Sequence, residues 1–288
     1  MPQLKLKDGR ALEFLDNGVE SSQAIVLHHG TPSDATVWAS WLLAAHALGT
    51  RAVAYSRAGY GQSDRRPLRR VGTVTSDISE LLDHLGVRSC VAIGWSGGGP
   101  HALANASESR CRGAVTLAGV APYGMPDLEF LDGMGTENHD EFAAAAEGET
   151  ALRAWLEVHG RGLKTINGTE LIAAFGGLIG AADKAVLTPQ FAAEMAAVMR
   201  SSLANSFDGW IDDDLAFVMP WGFDPADLKA PVRVWQGDQD FMVPHPHSRW
   251  LAQHIPGAQL SLVPGHGHLS LVTTYRNAIL VQARALLD

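Results

Sequence analysis

The apolar positions of this chain fall into two alternating rhythms. ALEFLD (residues 11–16) alternates with the period of two of a half-buried strand, and AIVLHHG (24–30) is a continuous apolar run ending in a glycine turn, as in a strand buried on both faces. DATVWASWLLAAHALG then reads as a helix, and AVAYS (52–56) as a second short buried strand. SDISELLDHLG places Ile78, Leu81, Leu82 and Leu85 on one helical stripe, with Gly86 as its stop. CVAIGW (90–95) predicts a third buried strand, Gly97 to Ala106 an alanine-rich helix, and AVTLAGV (114–120) a fourth strand. Strand and helix in alternation predict a doubly wound, mostly parallel α/β sheet with right-handed crossovers.

From about Met125 to Leu228 the rhythm breaks, and helical text such as EFAAAAEGETALRAWLEV replaces buried strands. Leu152, Trp155 and Leu156 share one helical face there, as do Phe191, Met195, Val198 and Met199. Prolines 220, 225 and 231 punctuate the exit. PVRVWQG and QLSLVP then resume the strand pattern before a final helix, LSLVTTYRNAILVQARALL. The organisation this predicts is a core of residues 1–124 and 229–288 carrying a helical insertion, 125–228.

The length of 288 residues and a hydrophobic share of 46% suit one large domain with an insertion. A net charge of -9 argues against a nucleic-acid partner, and the one basic cluster, RRPLRR (65–70), reads as a solvated loop edge. Cys90 and Cys111 make no disulfide framework or metal-type spacing, which implies a reducing compartment. The two cysteines begin strands expected to be neighbours, close together but unbonded. MPQLKLKDGR lacks the apolar run of a signal peptide, and no later stretch approaches a membrane span. The expectation is a cytoplasmic protein acting on a small molecule, with no membrane partner. PHPH (244–247) lacks partnering Asp or Cys ligands and reads as surface histidines rather than a metal site.

VAIGWSGGGP (91–100) sets Ser96 between glycines where a strand gives way to a helix. A tight turn there strains the serine backbone, holds its hydroxyl above the sheet, and leaves no room for side chains on either side. The helix start offers N–H groups and a positive dipole end to an oxyanion. The same glycines could cradle a phosphate, but the P-loop lysine and the G-x-G-x-x-G spacing are both missing. A serine hydroxyl needs a histidine to take its proton and an acid to hold that histidine. DQD offers Asp238 and Asp240 after one later strand, and GHGHLS offers His266 and His268 after the next, in the chain order serine, acid, histidine. Residue pattern alone leaves both pairs open.

Taken together, HHGTP (28–32), SRAGYGQSD (56–64), GWSGGG (94–99), GDQDFMVP (237–244) and GHGHLS (265–270) resemble the α/β-hydrolase superfamily over nearly the whole chain. The resemblance implies the α/β-hydrolase fold with a helical cap over the catalytic edge, and picks Asp240 and His268 to serve Ser96. Asp238 and His266 are then loop supports. It also implies an oxyanion hole made by the backbone N–H groups of Thr31 and Gly97, with His28 and His29 fixing the loop. SRAGYGQSD departs from the family pattern at Ser56 and Ala58, in a loop that buttresses the site. A nucleophilic serine points to acyl-enzyme chemistry without cofactor or metal. Trp95, Trp155, Trp210 and Trp221 are the candidate substrate-binding residues, for a small to medium, partly apolar substrate. A carboxylic ester is the first choice. The alternatives are a proline-iminopeptidase-like aminopeptidase, a carbon–carbon bond hydrolase or lactonase, and a ligand-binding receptor on the same fold. Against the aminopeptidase, those enzymes carry a tryptophan after the nucleophile, whereas Trp95 precedes it.

Overall fold

The computed structural model describes residues 1–287. Eight strands form one sheet: β1 (Gln3–Lys5), β2 (Ala11–Asp16), β3 (Gln23–His28), β4 (Ala52–Tyr55), β5 (Ser89–Trp95), β6 (Cys111–Leu117), β7 (Val232–Gly237) and β8 (Gln259–Val263). Their order is β1-β2-β4-β3-β5-β6-β7-β8. The β1–β2 and β2–β4 pairs are antiparallel, and every later pair is parallel. The three-residue β1 was not anticipated, because its outer positions are exposed and it carries no apolar run.

Both faces of the sheet are covered, which is why its central strands read as continuous apolar text. Val26, Val53 and Ala92 pack on one side with Ile78, Leu81, Leu103 and Leu251. Their alternating neighbours Ile25, Leu27, Val91 and Ile93 pack on the other with Trp38, Leu42, Ile279 and Leu280. Cys90 and Cys111 are paired in register across β5 and β6, and both are free and buried.

Two helices differ from the sequence reading. The final helix is two, His268–Thr274 and Arg276–Arg284, separated at Tyr275, whose ψ of 6° leaves helical geometry. His245–His254 is a helix begun by its prolines, since a first turn has no use for the N–H that proline lacks. His247 is consequently not a surface residue: it is buried, accepts the Ala121 N–H at Nδ1 (3.1 Å) and bonds the Phe130 carbonyl through Nε2 (2.8 Å).

Between β6 and β7 the chain forms α-helices and short 3-10 turns without a strand, including Thr136–Glu147, Glu149–His159, Ala181–Val186, Pro189–Ser202 and Asp208–Val218. These helices have an apolar cluster of their own, Leu152, Leu156, Leu203, Phe207 and Ile211, keyed to the sheet-side loop by Tyr60. Among the described residues no helix is long and apolar enough to cross a membrane.

Candidate active site

Ser96 follows the last residue of β5 and precedes the helix Gly98–Asn105. Its φ is +55°, a left-handed value that a side-chain-bearing residue adopts only when its surroundings enforce it. Two hydrogen bonds do so: the Ser96 N–H donates to the Leu117 carbonyl and the Ser96 carbonyl accepts from the Gly99 N–H, both at 2.8 Å. The glycines are required by close approach. A Cβ on Gly94 would overlap the Gly98 carbonyl, and one on Gly98 would overlap the carbonyl of His28. With Thr31, Gly97 and His268, Ser96 lines a cavity of about 360 Å³ between the sheet edge and the inserted helices.

Asp240 and His268 lie on the loops leaving β7 and β8, and both side chains are buried. The His268 Nδ1–H donates to Asp240 Oδ2 at 2.8 Å. Asp240 Oδ1 accepts the Met242 and Val243 N–H groups at 2.9 Å, and Gln236 Nε2 reaches Oδ2 at 3.1 Å. So many donors fix the carboxylate and, through it, the ring, leaving Nε2 as the nitrogen free to take a proton. Burial alone would lower the His268 pKa; the charge of Asp240 and its hydrogen bond outweigh that, Asp183 adds to them, and the pKa lies above its ordinary value of 6.5. Asp238 is exposed and accepts the Gly265 N–H at 2.7 Å, and His266 packs edge-on against Tyr275.

A second carboxylate holds the histidine from the opposite side. Asp183, fully buried in the inserted helix Ala181–Val186, accepts the N–H groups of His268 (2.8 Å), Leu269 (3.0 Å) and Ser270 (2.8 Å), and the Ser270 hydroxyl (2.8 Å). It caps the helix that begins at His268, with its charge against the positive end of that helix. Gly267 is needed here, because a Cβ would overlap the Asp183 carboxylate. Sequence gave no sign of this contact, since the cap lies 85 residues from the helix it serves.

Thr31 and Gly97 face each other beside Ser96. Among the described residues, neither backbone N–H donates to a protein acceptor. The Thr31 hydroxyl donates to Asp213 at 2.6 Å. Asp213, in the helix Asp208–Val218, also pairs with Arg57 (2.6 Å) and Arg69 (2.7 Å) and accepts from Tyr60 (2.9 Å). Burial would raise the Asp213 pKa, but Arg57 and Arg69 outweigh it and hold the carboxyl well below the usual range. Arg57 is braced in turn by the carbonyls of His29 and Gly30. The His29 Nε2 accepts the Arg57 N–H at 2.9 Å and its Nδ1–H donates to the Gly30 carbonyl, while His28 bonds the Tyr55 hydroxyl. Burial keeps both histidines neutral, with pKa values well below 6.5.

Of the candidate tryptophans, Trp95, Trp155 and Trp210 line the cavity, with Met195, Val198 and Met199 from one helix and Phe217 from another. The Trp95 ring lies 5.3 Å from that of His268. Trp221 is not part of the cavity. The chain turns extended at Met219, and Trp221 is buried in the sheet's apolar cluster, its carbonyl bonded to the Gly72 N–H. Two further carboxyls line the cavity, Glu141 and Asp214. Glu141 accepts the Trp210 indole N–H at 2.5 Å. Burial pushes both carboxyls upward, and for Asp214 the charge of Glu141 adds to the shift.

Residues 25–281 match the model of the alpha/beta hydrolase family. This chain belongs to the alpha/beta hydrolase family. A non-heme chloroperoxidase of Streptomyces lividans is 32% identical over 149 residues, 50% of this chain, so the chain spans about half of that relative, 54% of its length. Among solved structures, a thermophilic esterase from Thermogutta terrifontis matches with a TM-score of 0.71 at 21% identity, covering 100% of both chains. The enol-lactonase from Burkholderia xenovorans LB400 matches at 0.70 and 20% identity over 99% of each chain. At that identity these two show a shared fold. The helical insertion between β6 and β7 and the loops bearing Ser96, Asp240 and His268 belong to the matched region.

Proposed function

We propose that this member of the family is a serine hydrolase that cleaves a carboxylic ester of small to medium size through an acyl-enzyme on Ser96. The observation that carries the reading is the buried 2.8 Å bond from His268 to Asp240 on the wall of the cavity that Ser96 enters. In this reading Ser96 Oγ attacks the ester carbonyl carbon while His268 Nε2 takes the hydroxyl proton, and Asp240 stabilises the imidazolium that forms. The carbonyl electron pair moves onto oxygen, where the N–H groups of Thr31 and Gly97 receive it. One such donor is typically worth roughly 3 to 4 kcal/mol of barrier. The intermediate collapses, the alcohol leaves with the proton from His268, and an acyl group remains on Ser96. Water then attacks the acyl carbon, gives its proton to His268, and releases the acid as Ser96 regains the proton.

The network around Asp213 supports the oxyanion assignment. It ties Thr31 to Arg57, Tyr60 and the inserted helix, so the donor loop is set before substrate arrives. The inserted helices 125–228 act as the cap, and the cavity's apolar wall of Trp95, Met195, Val198 and Phe217 suits an acyl chain or aromatic group. Initial rates on p-nitrophenyl esters from acetyl to decanoyl, beside prolyl p-nitroanilide, test the reading. Ester turnover that disappears in Ser96→Ala is the expected result, and the best chain length measures the cavity. Faster cleavage of the prolyl amide, or turnover that survives in Ser96→Ala, would contradict it.

A further inference from the structure

We propose that Asp214 and Glu141 form a subsite for a positively charged nitrogen, so that the substrate carries an ammonium group on the part held by the inserted helices. The proposal rests on the serine-hydrolase reading of the same cavity and adds the charge of the substrate to it.

The cavity wall is one-sided in charge. Apart from two histidines, its ionisable residues are Glu137, Glu141 and Asp214, with no lysine or arginine. Asp214 is 2% exposed, and its Oδ2 accepts no hydrogen bond from any N–H or O–H of the described residues. Glu141, half-buried beside it, has the Trp210 indole N–H. A carboxylate offers about four lone-pair positions, so the pair is far short of donors. Burial raises the pKa of both carboxyls, and the charge of Glu141 adds to the rise at Asp214; a proton taken up by one of them still leaves the other's negative charge in the pair.

The adjacent Asp213 shows what this fold does when it needs a buried carboxylate for structure. Asp213 has two arginines, a tyrosine hydroxyl and a threonine hydroxyl. Arg69, whose field reaches Asp214, is bonded to Asp213 and does not line the cavity. Among the described residues, neither Asp214 nor Glu141 is in a salt bridge. A buried charge without a partner is costly, and an ammonium from the substrate supplies the missing charge and three donors together. Trp155 and Trp210 line the same cavity, and aromatic faces favour a cation over a neutral group.

The test reads binding without turnover. In the Ser96→Ala protein at neutral pH, hexylammonium and 1-hexanol are titrated by isothermal calorimetry, and again with Asp214→Asn or Glu141→Gln added. The expected result is hexylammonium bound about tenfold or more tighter than hexanol, as one charge-assisted hydrogen bond provides, with that preference lost in either variant. Equal affinities, no measurable hexylammonium binding, or a preference that survives in either folded variant would overturn the proposal, and the pair would then only brace two helices. Circular dichroism identifies a misfolded variant, and Glu141→Gln carries the comparison if Asp214→Asn does not fold. A wild type inactive on p-nitrophenyl esters of both neutral and amino-bearing acids that keeps the ammonium preference refutes the hydrolase reading alone. An active wild type without it refutes the subsite alone.

Discussion

At the sheet edge, Ser96, Asp240 and His268 each lie within a few residues of a strand end, in short loops with glycines at the tight points. Across the cavity the inserted helices bring Glu141, Asp183, Asp213 and Asp214, each inside a helix rather than at a strand end. Asp240 and Asp183 hold the same histidine, one by its ring and one by the backbone of its helix. Asp213 and Asp214 are neighbours in sequence, yet one is paired with two arginines and the other, among the described residues, is in no salt bridge. A parallel sheet dictates where a reacting group stands, and the backbone geometry that presents it leaves a signature in residue type. A helix presents a group merely by facing inward, which many sequences do.

If that division is right, substitutions at the sheet edge should remove chemistry, and those on the inserted helices should change stability, pH response or selectivity. The largest effect is expected for Ser96→Ala and His268→Ala, each lowering kcat by roughly a millionfold with the fold intact, as when members of a triad act as a unit. Steady-state kinetics beside circular dichroism check this, and near-normal activity in either variant breaks the sheet-edge half. Next, Asp240→Asn should cost about 10⁴-fold in kcat. Asp238→Asn should stay near wild type, because Asp238 is exposed and only braces the Gly265 turn. The reverse ranking would move the acid to the other carboxylate.

For Asp213→Asn the expected loss is one of stability, about 3–5 kcal/mol, because Arg57 and Arg69 would remain buried without their shared partner. Urea unfolding measures it, and a loss below about 1 kcal/mol would show that the network matters little. The smallest effect belongs to Asp183→Asn, which keeps an acceptor oxygen but loses the negative charge at the helix start and should cost about 1 kcal/mol. It should also move the acid limb of kcat/KM. His268 works as a base only when neutral, so activity rises with pH through its raised pKa, above 6.5. Removing the Asp183 charge withdraws one cause of that raise, and the limb should shift to lower pH. A limb that stays in place would confine Asp183 to bracing the helix.

The central strands and the strand-to-helix turn at Ser96 were legible because burial on two faces and close backbone approach restrict residue type. The choice between Asp238 and Asp240, or between His266 and His268, was open to residue pattern, since adjacent loop residues differ in direction rather than composition. Trp221 misled because a large aromatic fills a core as readily as a pocket, and only the extended backbone at Met219 decides which. His247 misled because a proline-rich opening looks like a loop until the helix behind it is seen. The run Asp212, Asp213 and Asp214 was the one mark the inserted helices gave. Three successive acids between Ile211 and Leu215 sweep about 200° of a helix, so at least one lies toward its apolar flanks, and the structure buries all three.

Whether His268 activates Ser96 can be read from labelling with a fluorophosphonate probe followed by peptide mass spectrometry, since only an activated serine reacts. One adduct on the peptide containing Ser96 in the wild type, largely lost in a folded His268→Ala, is expected. Labelling at another residue, or equal labelling with and without His268, would contradict that activation.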